Sequence, residues 1–148
     1  MPEPDLDALR NALAAARRTL DQVADAAGLG EEARRGTTLY ALACRLRDER
    51  KRRAALFDAQ LFGEAAWDIL LHLYIARQER RLVNVNNLYQ STGLSHGTAW
   101  RWVIRLEEHG LATRGPVQRD RRFKMVQLTP AGEDRMTDYL AGLVGTAP

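Results

Sequence analysis

"STGLSHGTAWRWVIRLEEHG", residues 91–110, decides the fold. Two tryptophans stand two positions apart in what reads as a helix, and two positions turn a helix by about 200°. Trp100 and Trp102 therefore cannot both enter one core. With Ala99 as the inward reference, Val103 and Leu106 fall within about 40° of it and Trp102 within about 60°. Trp102 is expected in the core. Trp100 lies about 100° away, on the side of Ile104 one turn on. Ser95 supplies an N-cap and Gly110 an end.

Working outward, Asn84 caps a brief helix, "VNNLYQSTG", whose Gly93 makes the turn into the tryptophan helix. Before it, "RLV" at 81–83 fits only a small strand. "GEAAWDILLHLYIARQE", 63–79, reads as the central core helix with Trp67, Leu70, Leu71, Tyr74 and Ile75 inward. After it, "LATRG", "PVQRDRR" and "FKMVQLT" read as two short strands around a basic hairpin. Thr129 and Pro130 then start a last helix through about Val144.

The N-terminal part has a different pattern. Over residues 5–27, Leu6, Leu9, Leu13, Ala16, Leu20, Val23 and Ala27 alternate three and four apart, a heptad seam ended by Gly28 and Gly30. The stripe is narrow and rich in alanine, so it suits packing against one other helix. That partner is either this chain's own second helix or a second copy, the copy being the preferred reading. The second helix is expected from Thr37, as N-cap, to Phe57, with Leu39, Leu42, Ala43 and Leu46 on one face. Its basic residues go all round it except Arg50 and Arg53, which fall on the apolar face and should meet acids, phosphates or a subunit boundary.

The expected organisation is a dimerisation helix and turn (1–36), a basic connecting helix (37–61) and a winged helix with a C-terminal helix (62–148). The order helix, helix, helix, strand, helix, helix, strand, strand, helix is that of a winged helix-turn-helix: mainly α with a small β-hairpin wing, plus an added N-terminal helix. The residues from 62 to 132, with "GLS…T…R…RLEEHGL", "DRR" at 120–122 and "LTPAG", resemble the MarR family of winged-helix transcription regulators. That resemblance implies a homodimer on pseudo-palindromic double-stranded DNA, while the lone cysteine and the lack of a long apolar run make the cytoplasm the expected location. The helix of about 95–109 would lie in the major groove, and the wing of about 114–124 on the adjacent minor groove or backbone. It also implies a small-molecule effector.

The residues agree on their own terms. Small or polar Ser95, Gly97 and Thr98 at a helix start allow close approach, and free N–H groups there suit a phosphate. His96 stands beside them. Arg101 points outward and can fork onto guanine edges, with Arg105 one turn on. Arg119, Arg121, Arg122 and Lys124 bring charge to a phosphate backbone or narrow minor groove, and Asp120 is expected to brace the hairpin by pairing with an arginine. Trp100 has three open destinations: a neighbouring helix, thymine methyls or sugars, and a protein partner. We expect it to flank while Arg101 reads the sequence.

The formal net charge is only +3, but it is unevenly spread. Residues 1–36 carry five basic and seven acidic side chains, whereas 95–124 carry seven basic against Glu107, Glu108 and Asp120. Such asymmetry favours a polyanionic partner. No apolar run is long enough for a bilayer. One cysteine, Cys44, fits a reducing compartment and reads as a small buried residue. His72, His96 and His109 are scattered, so no metal set forms, and no nucleophile–base pair or phosphate loop suggests catalysis or a cofactor. His72 is expected to be a satisfied core residue. The alternative function is a winged-helix protein-interaction module with Trp100 and Ile104 as apolar anchor.

Overall fold

A computed structural model describes residues 6–28, 30–57, 59–117 and 120–145, with the side chains of Leu6, Ala59, Gln60, Pro116, Val117 and 120–123 left out. The chain forms two compact units, Met1–Thr38 and Leu39–Pro148. Among the described residues are six helices, α1 (Leu6–Ala26), α2 (Gly30–Leu56), α3 (Ala65–Gln78), α4 (Val85–Thr92), α5 (His96–Glu108) and α6 (Pro130–Gly145). A three-stranded antiparallel sheet in the order β1-β3-β2 joins Val83–Asn84, Asp120–Leu128 and Ala112–Val117. The expected winged helix is present.

In the first unit, α1 carries the heptad seam, and Ala27 and Gly28 form the turn after it. Leu9, Leu13, Leu20 and Val23 are 57–69% exposed. Ala16 and Ala27 are exposed as well, and the Leu6 side chain lies outside the described residues. Two expectations need correction. Gly30 starts α2 instead of closing α1, and Thr37 lies inside α2 instead of capping it. The cause is local: Glu31 and Glu32 in the first turn complement the helix dipole. The Thr37 and Thr38 hydroxyls donate back to the Ala33 and Arg34 carbonyls, at 3.0 and 2.9 Å, as mid-helix threonines do.

The second unit is built around α3. Six consecutive residues, Leu71 to Ala76, are buried, together with Ile69, so this helix is covered on nearly every side. Leu39 and Ala43 of α2, Leu88 of α4, Val103 and Leu106 of α5, Val126 and Leu128 of β3, and Met136 and Leu140 of α6 complete the core. Trp67 and Leu70, expected inward, are half-buried at its edge. The small strand is shifted from 81–83 to Val83–Asn84, where Val83 pairs with Val126 and Asn84 with Met125.

The turns that aim α5 are as expected. Asn84 Oδ1 accepts the Asn87 N–H at 2.6 Å and starts α4. Gly93, at φ +71°, closes α4 in the left-handed region where a side chain is disfavoured. Ser95 Oγ then accepts the Thr98 N–H at 3.2 Å. Thr129 caps α6 by accepting the Gly132 N–H at 3.0 Å, and its own N–H reaches the Leu111 carbonyl at 3.0 Å.

Candidate nucleic-acid interface

Helix α5 presents three different sides. Its inner stripe, Ala99, Val103 and Leu106, is buried. Opposite lie Gly97 and Arg101, with Arg105 one turn further; all three are exposed, as are Ser95 and His96 at the helix start. Thr98 is half-buried and shares the cap, its Oγ1 accepting from Ser95 Oγ at 2.8 Å. The His96 ring meets Tyr89 edge-on at 5.3 Å between centroids.

The two tryptophans occupy the flanks, both half-buried. Trp102, expected in the core, instead sits at its border, with the Arg105 guanidinium 5.2 Å from its ring centroid. Its large indole exceeds what the inner stripe can enclose. Trp100 faces the wing, where Arg114 stands 4.8 Å and Lys124 5.4 Å from its ring centroid. Both cations come from the strands, and the indole packs against the core cluster. Trp100 and Ile104, the apolar anchor of the protein-interaction alternative, are both half-buried.

Arg114 also donates to Glu107 Oε2 from Nε at 2.8 Å and Nη2 at 2.7 Å. The sequence reading missed this link, although Trp100 and Glu107 are seven residues apart and so share a helix side. Of the expected wing contacts, Lys124 is exposed. Arg119 lies outside the described residues, as do the side chains of Asp120, Arg121 and Arg122.

This arrangement has counterparts among solved structures. AF1382 from Archaeoglobus fulgidus is 20% identical over 65% of this chain and 99% of its own, with a TM-score of 0.50, a likeness of fold. A probable transcriptional regulator from Pseudomonas aeruginosa is 30% identical over 68% of this chain and 76% of its own, with a TM-score of 0.45. A variant of S. aureus MepR, bound to an oligodeoxyribonucleotide, is 20% identical over 68% of this chain and 72% of its own, at a TM-score of 0.49. The chain spans 54% of the matched Lactococcus lactis ZitR variant. No family model and no curated protein matches. The matched structures include regulators of the MarR type. The chain is similar to these regulators in its winged-helix fold.

The Leu39–Pro148 unit holds a cavity of about 560 Å³ behind α5. The second half of α2, the start of α3 and the 91–95 turn line it, with Thr98 and Trp102 from α5. Arg50 is occupied there by Glu64 and Asp68. Arg53 Nε and His72 Nε2 are buried without a hydrogen-bond partner among the described residues. His72, expected to be satisfied, instead has its Nε2 unbonded to any described residue, in the wall of this cavity. Burial, then the charges of Arg81, Lys51 and Arg47, push its pKa down to about 4, so the ring is neutral at pH 7. No helix among the described residues is long and apolar enough to cross a membrane.

Proposed function

We propose that the protein is a homodimeric transcription regulator that binds double-stranded DNA sequence-specifically. The observation that carries this reading is the outer side of α5: Gly97, Arg101 and Arg105 exposed in line, opposite the buried stripe, beside a helix start capped by Ser95. Arg101 reads a guanine edge in the major groove, and Arg105 and the α5 N–H groups hold phosphates. Ser95, His96, Gly97 and Thr98 allow the backbone to approach, while Lys124 with Arg119, Arg121 and Arg122 serves the wing. Trp100 flanks these contacts.

The exposed seam of α1, Leu9, Leu13, Ala16, Leu20 and Val23, with Leu6 and Ala27 at its ends, joins two copies. Segment 1–36 is thus the dimerisation part, 37–61 the connection and 62–148 the DNA-binding part. Two copies related by a two-fold axis place half-site centres about one helical turn apart. The cavity behind α5 suits a small negatively charged effector, because Arg47, Lys51 and Arg53 line it and two of its buried nitrogens lack partners. Thermal shifts with small organic anions, against their neutral analogues, test that part.

Selection of the full chain on a random duplex library near physiological salt, followed by sequencing, tests the central claim. A pseudo-palindrome with centres about one turn apart is expected. Retention only at low salt, with no enriched sequence, would overturn it.

A further inference from the structure

We infer that Trp100 is a positioning residue that fixes the wing against the recognition helix and so sets the sequence selectivity of DNA binding. The inference rests on the DNA-binding reading above. Arg114 pairs with Val126 and Pro116 pairs with Lys124 across β2 and β3. Residues opposite one another in an antiparallel pair share a face, and alternate residues of a strand share it too. Arg114 and Lys124 therefore lie on the same face as the buried Val126, the face turned to the core and α5.

On α5, Trp100 and Glu107 form a two-point receptor for that face. Arg114 places its guanidinium carbon over the indole while Nε and Nη2 both reach Glu107, a combination that a lysine could not reproduce. Arg114 is thus turned inward as a fastener, with its charge met by Glu107. Lys124 adds a second point over the same ring. The ladder register shifts between Pro116 and Val117, immediately beyond the Pro116–Lys124 rung. Trp100 thus holds the last regular rung of the wing, the point with most leverage over where the hairpin meets DNA.

The test compares the parent with Trp100→Ala, Trp100→Phe and Lys124→Gln. Each binds the duplex selected from the library and a scrambled duplex of equal length over a range of salt, and NMR follows the Lys124 methylene protons in the free protein. We expect Trp100→Ala to lose on the order of tenfold on the selected duplex, the size of one misread base pair, while scrambled binding stays within about twofold. Its ring-induced upfield shift at Lys124 should vanish. Trp100→Phe keeps a ring and should keep selectivity within about threefold.

Equal loss on both duplexes, in step with a fall in thermal midpoint, would reduce Trp100 to a packing residue and overturn the inference. Unchanged selectivity in Trp100→Ala would do the same. Should Trp100→Ala not fold, Lys124→Gln at its exposed position decides, unchanged selectivity again overturning the proposal. A parent that enriches no duplex fails the DNA-binding reading itself, before any variant is compared, and takes this inference with it.

Discussion

Arg50 of α2 holds Asp68 of α3 with one edge of its guanidinium, Nε on Oδ1 and Nη2 on Oδ2, the latter at 3.1 Å. Its remaining nitrogen, Nη1, reaches Glu64 Oε2 at 2.6 Å, and the Arg50 side chain is only 12% exposed. The hydrogen bonds from Asp68 raise the arginine pKa further, so Arg50 stays cationic. Replacing Arg50 by Met strands Asp68 against the core and should cost about 3 kcal/mol in urea unfolding. Replacing it by Lys gives up the fork and should cost less than Met.

His72 makes stability depend on acidity. The folded chain holds its imidazole near pKa 4, below the ordinary 6.5, so in that interval the unfolded chain binds a proton the folded one refuses. The contribution is fully present above about pH 6.5 and is lost as pH falls towards 4, amounting to roughly 3 kcal/mol. His72→Leu should flatten the urea midpoint across this window. A midpoint that keeps falling equally in the variant would place the effect elsewhere.

Gly132 tolerates no side chain. A Cβ there would stand 2.0 Å from the Leu111 carbonyl oxygen, which already accepts the Thr129 N–H at the helix start. The obstacle is backbone that anchors β2, so it cannot step aside. Gly132→Ala should lower stability by about 2–3 kcal/mol, even though alanine favours helices. Thermal unfolding beside Gly142→Ala, where an added Cβ meets no neighbouring atom outside its own helix backbone within 4 Å, is the control.

Arg101→Ala should relax discrimination at one base position by roughly 1–3 kcal/mol while leaving folding unchanged. Repeating the library selection reads this directly: the variant's logo should lose one position per half-site. Loss spread evenly over the whole site would instead make Arg101 a phosphate contact.

Leu13→Glu with Leu20→Glu places charge in the proposed dimer seam of α1. Sedimentation should then report monomers, with circular dichroism of the Leu39–Pro148 unit intact. A dimer that survives both changes would place the interface outside α1.

The order of elements was legible because each boundary has its own chemistry: the side-chain caps of Asn84, Ser95 and Thr129 and the left-handed Gly93 lie where their residue types indicate. The start of α2 was not, since Thr37 looks identical whether its hydroxyl caps a helix or bonds back four residues. The angular reading placed Trp100 outside the inner stripe, as found. It could not identify what lies beside it, because Arg114 and Lys124 come from strands whose register is a long-range property. His72 fails for a related reason. Sequence marks a histidine on an apolar helix but not whether a partner reaches Nε2.

The all-round burial of α3 has one more consequence. A helix without a watered face cannot open by itself, because releasing any turn exposes residues that α2, α4, α5, α6 and β3 all depend on. Its amides should exchange with deuterium only when the whole unit unfolds, whereas the outer residues of α5 have only one packed side to restrain them. The winged helix thus turns on a rigid axle. The surface residues that would choose its sequence can then drift over evolutionary time without endangering the fold that carries them.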